Sequence, residues 1–84
     1  MRIPPIQCRL TFEALARIRS VRGTAHALCV TPSTVSQRIR QLEGIMGTPL
    51  FGREDFSLTH AGQHYLQDVR EGPTILERGS ARQR

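Results

Sequence analysis

The stretch Thr31–Met46, TPSTVSQRIRQLEGIM, decides how the chain is read. Thr31 is a good N-cap, and Pro32 suits the first helical position, where its missing N–H costs nothing. A helix is therefore predicted from here to Gly44 or Met46, ended by Gly47 with Pro49 just beyond. At about 100° per residue, with Val35 set to zero, Ile39, Leu42 and Met46 fall within about 40° and form the stripe expected to be buried. Ser33, Gln37, Arg40 and Gly44 lie on the opposite face, flanked by Ser36 and Gln41. That outer face is small and hydrogen-bonding, with one long cation and no acid at its centre. A solvated face usually mixes acids and bases one turn apart, and this one does not. Short hydroxyls at a helix start approach base edges closely, and Gln and Arg each make two directed bonds there.

Outward from this helix, the preceding chain reads as two more. Residues 1–9 form an extended arm stopped by Pro4-Pro5. Phe12, Leu15 and Ile18 recur three apart, which predicts an amphipathic helix from Cys8 to Arg19. Ser20 and Gly23 break it, and an alanine-rich second helix is expected over Thr24–Leu28, joined by Cys29-Val30 to Thr31. A short helix, a tight turn and a pre-capped helix make the helix-turn-helix plan. Beyond it, Leu50–Leu58 reads as a small hairpin. Thr59 caps a fourth helix with Tyr65, Leu66 and Val69 as its apolar stripe, interrupted near Gly72-Pro73. The expected architecture is mainly α: a three-helix core with a short two-stranded wing over residues 1–58, then a linker helix and tail over residues 59–84.

Composition narrows the function. Eighty-four residues leave room for one thin core and exclude an enzyme with a cleft between two domains. The chain has twelve basic residues against seven acidic ones, and every basic residue is arginine. The excess is uneven. Residues 1–53 carry eight arginines against two acids, and residues 54–84 carry four against five. A basic front half suggests an anionic partner docking on one part of the molecule, and arginine's planar fork suits phosphate oxygens and guanine edges. No apolar stretch approaches the roughly 20 residues that span a bilayer, and no signal peptide is readable at the N-terminus. The expected location is the cytoplasm, with no membrane partner.

At this point several spaced motifs, in order, carry a likeness. The run Ser20–Glu43, SVRGTAHALCVTPSTVSQRIRQLE, resembles the helix-turn-helix of LysR-type transcriptional regulators. Leu50-Phe51-Gly52-Arg53 and Leu58-Thr59-His60-Ala61-Gly62 resemble that family's LFxR and LTxAG signatures. The opening RIPPIQCRLTFEALAR is similar to the subgroup around the glycine-cleavage activator. The likeness covers roughly residues 5–80. It implies a winged helix-turn-helix that binds double-stranded DNA at promoters or operators, followed by a linker helix through which two subunits pair. Carried over by position, Pro32, Ser33, Ser36 and Gln37 would contact bases. Thr31, Arg38 and Arg40 would contact the backbone, and Arg53 would act at the wing base. Phe12, Tyr65, Leu66 and Val69 would form the pairing surface.

Departures from the family pattern limit these expectations. Arg22-Gly23 stands where a Thr-Arg-like pair usually opens the second helix, and the glycine should loosen it by up to about 1 kcal/mol. Glu54-Asp55 sits where basic residues are usual in the wing, so phosphate contact there should be confined to Arg53. Family members normally continue into an effector-binding domain, so no small-molecule effector site is expected in these residues. With Pro73 in the linker helix, a weak homodimer is expected.

Three other readings compete with this one. No phosphate loop, HExxH or apolar carboxylate pair supports an enzyme, so no catalytic residue is assigned. No cofactor is expected. His60 and His64 share a helix face but lack a nearby third ligand, and they read as surface residues. His26 and Cys29, three apart, have only Cys8 as a third ligand and no paired CxxC, and the two cysteines read as reduced, small apolar fillers. No metal is therefore assigned. A truncated interaction module that heterodimerises with a full-length regulator and inhibits it would show poor DNA affinity alone. A redox or metal sensor built on Cys8 and Cys29 would lose its DNA response when both cysteines are mutated.

Overall fold

Thr31 and Pro32 open the third of four helices in a computed structural model, which describes residues 4–52 and 56–78. The helices are α1 (Ile6–Ile18), α2 (Val21–Leu28), α3 (Pro32–Met46) and α4 (His60–Arg78). α1 starts at Pro5, whose φ of −57° and ψ of 145° keep the preceding chain extended. It ends where Arg19 turns left-handed at φ 62° and its N–H bonds Leu15 O.

α2 is longer than the alanine run suggested. Ser20 does not break the chain but caps it: its side chain accepts from the Gly23 N–H at 3.0 Å. Gly23 lies inside the helix, and a Cβ there would meet Ile18 Cγ2 at 2.9 Å. The absence of a side chain lets α1 and α2 approach closely, which a propensity scale does not count. α2 then ends at Cys29, held left-handed at φ 60° with its N–H on Ala25 and His26 carbonyls.

In α3, Thr31 Oγ1 accepts from the Thr34 N–H at 3.1 Å, so the cap read from sequence is present. Val35, Ile39 and Leu42 are buried as expected. Met46 is not; it is 39% exposed, because it occupies the last turn before Gly47 leads the chain away at φ 75°. The core is completed by Cys8, Phe12, Leu15, Leu50 and Phe51. Phe12 sits at its centre, with ring centroids 5.3 Å from Phe51 and 5.1 Å from Tyr65. Leu50 and Phe51 are brought in by Glu43, whose carboxylate accepts from the Leu50 N–H at 2.8 Å and the Phe51 N–H at 3.4 Å.

The wing is reduced, among the described residues, to one antiparallel bridge between Phe51 and Leu58, with Gly52 N–H donating to Ser57 O at 2.8 Å. Arg53, Glu54 and Asp55 lie outside the described residues. Thr59 then joins wing to linker. Its hydroxyl donates to Pro49 O at 2.8 Å and accepts from the Gly62 N–H at 3.0 Å, capping α4. α4 runs unbroken from His60 to Arg78, through the Gly72-Pro73 pair that was expected to interrupt it. Proline's fixed φ is compatible with a helix, and the carbonyl it leaves without a partner can be solvated.

One buried polar atom stands out. Thr24 is fully buried on α2, and among the described residues its hydroxyl has no hydrogen-bond partner. Thr24→Val keeps the branched shape and removes the desolvated hydroxyl. It should stabilise the domain by about 1 kcal/mol, read as a rise in the urea midpoint at unchanged m-value.

Candidate nucleic-acid interface

The outer face of α3 presents a continuous hydrogen-bonding surface. Thr31, Pro32, Ser33, Gln37 and Arg40 are exposed, and Ser36 is half-buried beside them. Gly44 is also exposed, with nothing within 4 Å of where a Cβ would stand. Among the described residues, the face read from helical periodicity is thus largely exposed, with Ser36 and Arg40 bordering a shallow hollow beside Phe56. Thr31 is partly committed, since its Oγ1 lies 2.9 Å from Thr34 Oγ1 as well as capping the helix. Its side chain orders the helix start, where the free N–H groups attract phosphate.

Arg38, half-buried, reaches the neighbouring helix with part of its side chain. It turns toward α1, where Nη1 donates to the fully buried Thr11 Oγ1 at 3.3 Å. Thr11 in turn donates to Gln7 O at 2.7 Å. Arg38 therefore ties α3 to α1 with part of its fork. Burial pushes the nearby Cys8 thiol up, and the Arg38 charge acts in the opposite direction. Cys8 also donates to Gln41 Oε1 at 3.6 Å, so this flank of α3 is knitted into the core. Cys29 is exposed in the turn before α3, and neither cysteine is in a disulfide.

The pairing residues expected from sequence divide. Phe12 is fully buried within the chain's own core and cannot meet a second subunit; its aromatic neighbours Phe51 and Tyr65 already enclose it. Tyr65, Leu66 and Val69 are half-buried against that core. Burial pushes the Tyr65 phenol above its ordinary range, with Arg9 pulling it back. The large apolar side chains that α1 leaves exposed are Ile6 and Leu10, one turn apart.

Sequence reasoning missed Glu43, whose carboxylate holds the wing's first residues to α3. An acid near the end of a basic helix was visible, but its partners are backbone N–H groups that no residue pattern marks. It also missed that Glu13 is shared by Arg17 at 3.6 Å and Arg70 at 3.7 Å, a partly exposed link from α1 to α4. Both arginines stay exposed while paired with Glu13; Arg22 on α2 and Arg40 on α3 are exposed as well. Among the described residues no helix is long and apolar enough to cross a membrane.

This geometry agrees with what the chain is similar to. The family model described as bacterial regulatory helix-turn-helix protein, lysR family, matches residues 10–63. The glycine cleavage system transcriptional activator of Escherichia coli K12 is 40% identical over 72 residues, covering 83% of this chain and 24% of that protein. Its homolog from Haemophilus influenzae is 40% identical over 70 residues, covering 81% of this chain and 23% of that protein. The chain thus spans about a quarter of the length of these relatives. Among solved structures, Vibrio fischeri DarR in complex with DNA superposes with a TM-score of 0.81 at 26% identity, over 96% of this chain and 28% of that one. The CbnR DNA-binding domain in its DNA complex gives 0.77 at 25% identity, over 94% of this chain and 93% of that one. The four helices, the reduced wing and the polar outer face of α3 are those of a winged-helix DNA-binding domain, and the chain belongs to the LysR family of bacterial helix-turn-helix regulators.

Proposed function

We propose that this chain binds specific double-stranded DNA sequences as the DNA-reading part of a transcriptional regulator, with α3 in the major groove. The observation that carries the reading is the polar face Pro32, Ser33, Ser36, Gln37 and Arg40, exposed except for half-buried Ser36, on a helix whose opposite face buries Val35, Ile39 and Leu42. DarR and the CbnR domain, both solved on DNA, share this fold and support it. Pro32, Ser33, Ser36 and Gln37 reach base edges, while Thr31 and Arg40 meet the backbone. Arg38 serves chiefly as a brace for α3, and Arg53 acts at the wing base. Subunits pair weakly through the exposed edges of Tyr65, Leu66 and Val69. The domain carries no effector site of its own, and its activity is regulatory rather than enzymatic, in the cytoplasm.

A binding titration on selected and random duplexes at two salt concentrations tests this. Gln37→Ala should lose about 1–3 kcal/mol of discrimination between sites, the usual worth of a bidentate base contact. Arg40→Ala should weaken binding to all sequences alike and flatten the salt dependence by about one unit of slope. If neither variant changes binding, α3 does not lie in the groove.

A further inference from the structure

We propose that His60 and His64 form a two-ligand site for a divalent transition metal, zinc above all, on the first turns of α4. Both imidazoles are exposed and stand one helical turn apart, with ring centroids 5.1 Å from each other and planes at 71°. A zinc ion sits about 2.1 Å from each ligating nitrogen, hence about 3.2 Å from each ring centre; at a tetrahedral angle the two centres are then about 5 Å apart. The centroid separation is that of two ligands on one tetrahedral ion, and turning the exposed rings out of their present edge-to-face contact aims a nitrogen of each at it. Imidazole nitrogen selects zinc and its transition-metal neighbours over magnesium or calcium, which take oxygen ligands.

Among the described residues no third His, Cys, Asp or Glu joins the pair, so water fills the other two positions. Affinity is accordingly lower than at three-ligand sites, and the ion remains open to exchange. Asp68 is exposed one further turn along the same stripe. It lies about 6 Å farther along the axis from His64, too far to share the ion with His60, but its negative charge favours a cation on this face. The site also has a structural lever. His60 follows Thr59, whose hydroxyl donates to Pro49 O and caps α4. An ion bridging His60 and His64 staples the turn that joins α4 to the wing.

This inference does not depend on DNA binding, and its test does not either. The chain is titrated with zinc chloride, following heat, the histidine ring resonances and the Tm. One zinc per chain is expected, with the His60 and His64 rings shifting together and the Tm rising by several degrees, since a ligand that binds only the folded state stabilises it. Magnesium at the same concentration should do neither. His64→Ala and His60→Ala should each lower zinc affinity at least tenfold and abolish the Tm rise; both positions are exposed, and circular dichroism checks that each variant folds. Undiminished zinc binding in the double variant overturns the proposal. So does binding that disappears only in Cys29→Ser, which would place the ion on the thiol beside His26.

Discussion

Gly62→Ala is expected to lower the stability of this domain by about 3 kcal/mol or more, a large part of what a small domain has to lose. A Cβ at this position would overlap the carbonyl oxygen of Leu50, with Leu50 C at 3.1 Å and Leu58 Cδ2 at 3.0 Å behind it. The obstacle is backbone, so no rotamer change relieves it. That carbonyl is moreover fixed, because it accepts the Thr59 N–H at 3.1 Å while the Leu50 N–H is held by Glu43. Relief requires moving α4 away from the wing strand. The movement would strain the hydrogen bonds that Thr59 donates across to Leu50 O and Pro49 O. Urea unfolding should show a midpoint shifted strongly downward, whereas Gly44→Ala, with open space around the same added atom, should be neutral or stabilising. Equal midpoints for the two alanine variants would mean that α4 does not press on the wing in this way.

Gly62 also shows where sequence reading stops. The motif Leu58-Thr59-His60-Ala61-Gly62 was recognisable as a pattern, yet the reason for its glycine is a close approach to a carbonyl twelve residues earlier. What local chemistry dictates was legible. Thr31 and Pro32 start α3, Gly47 ends it, and the polar side of its helical wheel is the exposed side, because caps and periodicity act within a few residues. What depends on a neighbour was not. Met46 shares an angle with Leu42, but the wheel does not say where the covering elements end. Gly23 counts as a breaker in any propensity scale, while its place against Ile18 makes it a packing residue. The wheel puts Arg40 on the outer face and Arg38 off it, but only the position of Thr11 on α1 says what Arg38 touches.

The same ambiguity makes Phe12 the second decisive test. As an apolar residue on an amphipathic helix it fits either a subunit interface or the chain's own interior. The two roles predict different losses for Phe12→Ala. An interface residue, when truncated, raises the dissociation constant of a dimer and leaves each subunit folded. A central core residue costs about 3–5 kcal/mol of folding free energy, from lost burial and the cavity left behind. Phe12 is fully buried and bridges two aromatic neighbours, Phe51 from the wing and Tyr65 from α4. Its loss removes both contacts at once, so α1, wing and α4 lose their common centre. For a chain of this size that cost approaches the whole stability, and the variant should be largely unfolded at 37 °C by circular dichroism at any protein concentration. Leu66→Ala offers the contrast: half-buried at the edge of the same cluster, it should cost less stability. A Phe12→Ala chain that stays folded but sediments as a smaller species would return this ring to the subunit interface.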